Sequence, residues 1–402
     1  MLEQPMFGRR LRALRLQRGL SQADLAGDAL STAYLSRLES GARPPTAKSV
    51  KHLAARLGVA VTELEDAGCD PQSELVARAV SAGTAAETAE LISEIGGTDA
   101  VKDLALRWIA LWTRAGVSGE LGRPQEQIEA LEALEPLSRR IGSPQLEVRT
   151  LTALARCRRR SGDISGAGVA ASAAYTVATE HGLGIQDTVR ALLALISIET
   201  EAGSLTSARA HTEELDHLAS DAPGTLSVEA LWTSANVHVR QGDHATARTL
   251  LEQALQRLDS HQDVHLWMRL RLAAASLYLQ MTPRHPDLAA TCLAEAERAL
   301  QLLGAEQQHQ EFLLLKGKLA IHRRHIDEAR ELYRRLDGSV SRLNFREQIR
   351  LDVLHCQIRI LTGDRDGGIA EMEDLAKQAQ DAANLDLATE IWRALAEALA
   401  HP

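Results

Sequence analysis

The sequence predicts an all-α protein. A five-helix module occupies residues 1–66, a linker and connecting helix 67–99, and a right-handed superhelix of hairpins 100–402. Composition is the first reason: 45% of residues are hydrophobic but only 3% aromatic, with eleven prolines among abundant Ala and Leu, which suits packed helices rather than sheets. The second is a series of helix caps and glycine stops that divides the first 66 residues into short amphipathic segments. The third is a turn followed five positions later by a small residue, recurring every 39–42 residues through the body. That period marks stacked hairpins, each unable to bury its apolar face alone. Such an array also lets 402 residues fold without one oversized core.

The elements of the head follow in order. Phe7, Leu11 and Leu14 recur at helical spacing among Arg9, Arg10, Arg12, Arg15 and Arg18, and Gly19 stops this first helix. Ser21 caps a short second helix from Gln22 to about Gly27, with Asp24 beside the positive end of its dipole. A turn near Asp28–Leu30 leads to Ser31, the N-cap of a third helix from Thr32 to Ser40. Its Leu35 and Leu38 point inward, leaving Thr32, Ala33, Ser36 and Arg37 outward. Thr46 caps a fourth helix ending at Gly58, and Val61 to about Asp66 forms the fifth.

The string SQADLAGDALSTAYLSRLESGARPPT resembles the lambda-repressor-like helix-turn-helix family of the Cro/xenobiotic-response type, over about residues 6–66. The turn between helices two and three is one residue shorter than usual and carries Ala29-Leu30 in place of the common Gly-Val pair. By this resemblance Gln22 holds a phosphate, the start of helix three reads base edges, and Arg15 pairs with Glu39 to hold that helix in place. The residues assigned to double-stranded DNA are Gln22, Ser31, Thr32, Ala33, Ser36, Arg37, Ser40 and Arg43. Arg37 has the fork for guanine O6 and N7, and Thr32 and Ala33 suit a thymine methyl, whereas Ser40 and Arg43 grip phosphates. Tyr34 is read as a packing residue or phosphate hydrogen bonder. Charge agrees: residues 1–66 hold ten Lys/Arg and seven Asp/Glu, a net +3, while the rest hold 35 and 47, a net −12. An acidic body with a basic head is expected when only the head meets phosphates.

Between head and body, Asp70-Pro71 opens a linker, an Ala/Glu-rich helix follows, and Gly96-Gly97 closes it. Leu91, Ile92, Ile95, Trp108 and Trp112 serve either as a dimer seam or as core of the first hairpin. In the body the turn and small residue fall at Gly162/Ala167, Gly203/Ala208, Gly242/Ala247, Arg284/Ala289, Arg324/Ala329 and Gly363/Gly368, with a degenerate copy at Gly122. The unit EALWTSANVHVRQGDHATARTLLEQAL resembles the tetratricopeptide repeat, with a period about six residues above the usual 34, taken up by longer helices or loops.

The resemblance implies a concave groove lined by the first helix of each hairpin, at positions 13, 10, 6, 3 and 2 before each turn marker. Counting back places Arg149, Arg156, Arg190, Trp232, Asn236, Arg240, Arg271, Tyr278, Lys318, Arg350 and Gln357 in it, together with Arg159 and Arg160. These suit an extended peptide, its backbone held by Asn236 and Gln357 and its carboxylates by arginine forks. The competing reading pairs the arginines with acids of neighbouring helices.

No phosphate-binding loop, HExxH helix, nucleophile elbow or dinucleotide fingerprint is present, so neither an enzyme nor a cofactor is expected. Cys69, Cys157, Cys292 and Cys356 are dispersed and read as core residues. His211 with His217, and His322 with His325, lack further ligands, and the DRDGG at Asp364 lacks the later Glu of a calcium loop, so no metal is expected. The start MLEQPMFGRRLRAL holds no signal-like apolar stretch and nothing nears the roughly 18 apolar residues of a membrane span, which places the chain in the cytoplasm. The whole plan is similar to the peptide-responsive RRNPP regulators. That implies a homodimeric transcription regulator on a pseudo-palindromic operator, with a small signalling peptide in the groove. A regulator whose repeats bind a protein partner, or an enzyme or phosphatase regulator with an incidental head, are the alternatives.

Overall fold

The computed structural model describes residues 4, 6–61, 64, 71–82, 84–94, 103–219, 224–337 and 342–400. Twenty-one α-helices and no strand lie among them, in two compact units.

The first unit holds α1 (Met6–Gln17), α2 (Gln22–Ala26), α3 (Thr32–Glu39), α4 (Ala47–Leu57) and α5 (Pro71–Ser81). Three hydroxyls start its inner helices. Ser21, Ser31 and Thr46 accept from the backbone N–H groups of Asp24 (3.1 Å), Tyr34 (3.1 Å) and Ser49 (3.2 Å), groups a helix leaves without internal partners. Gly19 at φ +67° and Gly58 at φ +67° stop α1 and α4. Between α2 and α3 the short turn is a single 3₁₀ turn, Gly27–Ala29. Phe7, Leu11, Leu25, Leu35, Leu38 and Leu53 are wholly buried and form the core. Of the predicted fifth helix only Val61 and Leu64 are described, both helical; the rest lies outside the described residues, as do Ile95 and Cys69.

Helix α1 crosses the end of α3 at Gly8, where an added Cβ would come within 2.1 Å of the Leu38 carbonyl oxygen and 2.9 Å of the Glu39 carbonyl. Gln4 fastens the same corner, its Nε2 donating to the carbonyls of Leu38 (3.1 Å) and Arg43 (2.6 Å) while its Oε1 accepts from the Gly8 N–H (3.1 Å).

The second unit contains hairpins built from α7 (Leu104–Glu120) and α8 (Pro124–Ile141), α9 (Pro144–Arg160) and α10 (Ile164–Glu180), α11 (Ile185–Glu201) and α12 (Leu205–Ala219), and α13 (Thr225–Gln241) and α14 (His244–Arg257). Further hairpins pair α15 (Val264–Gln280) with α16 (Pro286–Leu303), α17 (Glu306–His322) with α18 (Ile326–Asp337), and α19 (Phe345–Leu361) with α20 (Arg365–Asp381); α21 (Leu385–Ala400) closes the array. Helix α6 (Ala85–Glu94) precedes it. The surplus over a standard repeat lies in helix length: α9, α11, α13, α15, α17 and α19 are 17 residues each. Trp108 packs in the first hairpin's core, donating from Nε1 to Ser138 Oγ at 2.8 Å and stacking on Trp112 at 5.0 Å.

The periodic sequence pairs acquire a physical meaning. Gly162, Gly203, Gly242 and Gly363 adopt positive φ at the hairpin turns, and Arg324 does so at φ +63° without being glycine. The small residues five positions on, Ala167, Ala208, Ala247, Ala289 and Ala329, are wholly buried where two helices meet. At Gly368 a Cβ would lie 2.6 Å from Ile360 Cγ1 and 3.0 Å from the Cys356 carbonyl. Arg284 departs from the pattern. Helix α15 ends at Gln280, so Arg284 lies well beyond the helix end instead of occupying the positive-φ turn.

Gly8→Ala is expected to destabilise the first unit by about 1–3 kcal/mol by overpacking. Native-state hydrogen exchange of the full-length protein checks this: amides of α1 and α3 should lose protection while those of α13–α16 keep theirs.

Candidate nucleic-acid interface and ligand cavity

Helix α3 is held by an ionic clasp beneath it. Arg15 donates from Nε to Glu39 Oε1 at 2.6 Å and from Nη2 to Oε2 at 3.0 Å, both side chains being nearly buried. Arg15 Nη1 also donates to the Leu20 carbonyl at 2.8 Å, and Gln22 Nε2 donates to Glu39 Oε2 at 2.8 Å. Burial alone would raise the Glu39 carboxyl, but the hydrogen bonds from Arg15 and Gln22 hold it below its ordinary value. The clasp ties α1, α2 and α3 together through one carboxylate.

On the opposite face Ser31, Thr32, Ala33, Ser36, Arg37 and Ser40 are all exposed. They stand on consecutive turns of α3, the set the sequence assigned to DNA. The Arg37 guanidinium forms no ion pair among the described residues. Ser40 Oγ donates to the Arg37 carbonyl at 3.1 Å, and Arg43 lies over the Tyr34 ring at 4.9 Å while Tyr34 Oη meets Ser49 Oγ at 3.4 Å. Tyr34 is thus a half-buried prop with Arg43 stacked on it. Gln22 was assigned to a phosphate; its amide carries a second N–H, which remains for that contact while the first serves Glu39.

The concave side of the repeats encloses a cavity of about 580 Å³. Its wall is formed by the first helices of successive hairpins: Arg156, Arg159 and Arg160 from α9, Ser197 and Glu201 from α11, Glu229, Trp232, Asn236 and Arg240 from α13, Arg269 from α15, Glu311 from α17, and Arg346, Glu347 and Arg350 from α19. The volume falls in the range of small-ligand sites.

Seven of the thirteen groove residues named from sequence line it: Arg156, Arg159, Arg160, Trp232, Asn236, Arg240 and Arg350. Lys318, Gln357 and again Arg350 line a separate pocket of about 40 Å³, which has room for a few waters at most. Arg149 instead pairs with Asp187 at 3.2 Å, and Arg190 does not reach the wall. Arg271 and Tyr278 face away from the cavity. Arg271 is 8% exposed, stacked 3.5 Å over Trp267 and bonded to Glu295 at 2.6 Å, and Tyr278 is 2% exposed in the core. The reason is the displaced turn: counting back from Arg284 stops two positions short, so α15 presents Arg269, Ser276 and Gln280 instead.

The arginines divide into two groups by partner. Arg240 is ion-paired with Asp386, which accepts from Arg346, Arg350 bonds Glu390 at 2.6 Å, and Lys318 bonds Glu390 at 2.7 Å, so two carboxylates of α21 take up four cations. Burial would raise Glu390, yet Arg350, Lys318 and Arg346 hold it well below the carboxylate range. Arg346 also approaches Glu201 at 3.8 Å. These acids were missed from sequence, because α21 follows the last turn marker and no register extends to it. Across the wall, burial and the neighbouring Glu347 push the Glu311 carboxyl up to about 8.

That shift has a definite sign. The folded chain keeps a proton on Glu311 that the unfolded chain releases near pH ~4.3, so stability falls as pH rises from there toward about 8. Glu311→Gln should flatten the loss, making the variant more stable than the parent at pH 9; thermal unfolding from pH 5 to 9 checks it.

Residues 6–67 match a family described as a helix-turn-helix domain. No curated protein matches the chain in sequence. Among solved structures, a Rap protein complexed with competence and sporulation factor is similar in fold, with a TM-score of 0.53 and 11% identity over 98% of this chain and 95% of that one. Bacillus thuringiensis PlcR in complex with the peptide PapR7 and DNA gives 0.41 and 13%, over 77% of this chain and 98% of that one. The chain therefore carries an N-terminal helix-turn-helix DNA-binding domain followed by tetratricopeptide-like helical repeats.

Proposed function

We propose that this protein is a sequence-specific transcription regulator, acting as a homodimer on a pseudo-palindromic operator, whose repeat domain senses a small peptide or similar ligand. The observation that carries the reading is the exposed face of α3, with Thr32, Ala33, Ser36 and Arg37 outward and its inner face locked by the Arg15–Glu39 clasp. A helix held at both α1 and α2 enters a major groove without losing side-chain order at its base, and Arg37 offers the bidentate geometry that discriminates guanine. Ser31, Ser40, Arg43 and the free N–H of Gln22 are the phosphate-positioning groups in this reading.

Ligand sensing is supported by the cavity, which is polar, of suitable size and walled by a separate element from each of several hairpins. A ligand touching α9, α13, α15 and α17 together selects one spacing of those hairpins over others and shifts the population by that differential affinity. Two-fold symmetry would set half-sites apart by about 10–10.5 bp or a multiple.

Capture of genomic DNA fragments by the full-length protein at a stated near-physiological salt concentration is the direct test. A single palindromic motif is expected, and Arg37→Ala should relax one position in each half-site by about 1–3 kcal/mol. Salt-sensitive binding without any motif, unchanged in the variant, would remove α3 as the reading element and leave a protein-partner role for the repeats.

A further inference from the structure

The cavity wall carries seven arginines against four glutamates. Four of those arginines have a carboxylate in reach: Arg159 lies 3.8 Å from Glu201, while Arg240, Arg346 and Arg350 are held by Asp386 and Glu390 of α21. The other three, Arg156, Arg160 and Arg269, form no ion pair among the described residues. Arg269 is instead steadied by Trp232, 5.8 Å from the ring centre.

These three cations share one chamber although they come from two different hairpins, α9 and α15. The protein around Arg156 depresses its guanidinium although the side chain is exposed; Glu229 opposes this, and repulsion from Arg159, Arg269 and Arg190 adds to it. The arginines that α21 reaches, Arg240, Arg346 and Arg350, are nearly buried and paired by its carboxylates, whereas Arg156, Arg160 and Arg269 are exposed to the solvent of the chamber. The contrast is specific to one side of the cavity. An anion entering there would relieve the repulsion and gain up to three guanidinium forks, whose planar donors match a carboxylate in bidentate fashion. The wall also carries the amides of Asn236 and Gln307, whose donor and acceptor together fit a peptide group, and those of Gln308 and Asn344, whose oxygens cap helices and whose N–H groups remain as donors.

We propose that Arg156, Arg160 and Arg269 form an anion subsite that holds a carboxylate, an acidic side chain or the C-terminus, of a short peptide lying along the amide-lined wall. The inference rests on the ligand-sensing reading and specifies its chemistry. It also separates these arginines from Arg240, Arg350 and Lys318, whose charges the protein's last helix already satisfies.

The test uses the full-length protein, immobilised, and random heptapeptide pools of three kinds: containing Asp and Glu with a free C-terminus, containing them with an amidated C-terminus, and lacking them with an amidated C-terminus. Inorganic phosphate at matched ionic strength is a fourth probe. Retention of one or both carboxylate-bearing pools over the third is expected, the pair revealing which carboxylate is held. For a peptide recovered from the retained pool, Arg156→Gln and Arg269→Gln should each weaken binding roughly tenfold to a hundredfold. Arg149→Gln, which lies outside the cavity, should leave binding unchanged. Arg156→Glu should turn the preference toward a Lys-containing pool, a gain that misfolding cannot imitate. Equal retention of the carboxylate-free pool would overturn the anion subsite while leaving a peptide-sensing regulator intact. Binding of phosphate with no peptide retained would overturn the peptide carboxylate as ligand, and retention of no probe would overturn both the subsite and the sensing role.

Discussion

Two carboxylates on the last helix organise the repeat unit. Asp386 and Glu390 take up Arg240, Arg346, Arg350 and Lys318, cations that come from α13, α17 and α19. Each cation sits where burial disfavours charge; Lys318 is pushed down to about 8 by burial despite Glu390. Removing either carboxylate would leave uncompensated charge on several hairpins at once, whereas replacing a whole network by apolar side chains is often neutral. The network therefore acts through specificity: it fixes which hairpins α21 may approach. Arg393 adds a bond to the Gln280 carbonyl at 3.0 Å, and Arg284 one to Glu397, so α21 is also tied to α15. Repeat arrays otherwise rely on contacts between immediate neighbours.

The first unit solves a smaller version of the same problem. One buried pair, Arg15 with Glu39, orients a helix only eight residues long, too short to be stable or straight without support. Its position between α1 and α3 leaves the outward face free of structural duties. Gly8 has the complementary role, letting two backbones meet where any side chain would intrude. A recognition face works by presenting donors in fixed positions, and here rigidity comes from beneath that face.

The cavity reads as the remainder of this electrostatic arrangement. Arginines are numerous on the concave wall, but the helices that follow decide which stay available. Where α21 reaches, they become structure; where it does not, Arg156, Arg160 and Arg269 keep their donors for something else. On the same wall burial, with repulsion from Glu347, favours a retained proton on Glu311, and burial raises Glu347 as well.

Local chemistry was fully legible in the amino-acid order. Ser21, Ser31 and Thr46 cap helices because a hydroxyl answers backbone N–H groups three residues away, and the Gly and Ala at Gly162/Ala167, Gly203/Ala208 and Gly242/Ala247 speak of positive φ and close approach. Those signals act within one hairpin, so the all-α class, the exposed set on α3 and the hairpin period followed from them. The groove was legible only as far as its register held. Thr282–Arg284 lengthens one turn, and two added positions rotate a helix by more than half a turn, which carried Arg271 and Tyr278 out of the wall and brought Arg269 in. Ion pairs between α21 and helices some 40 to 150 residues earlier leave no periodic trace. By itself the sequence determined the elements and the turns that join them, because caps and packing periods are local. Only the tertiary structure decided which arginines are already paired, because that depends on distances between hairpins that no spacing along the chain records.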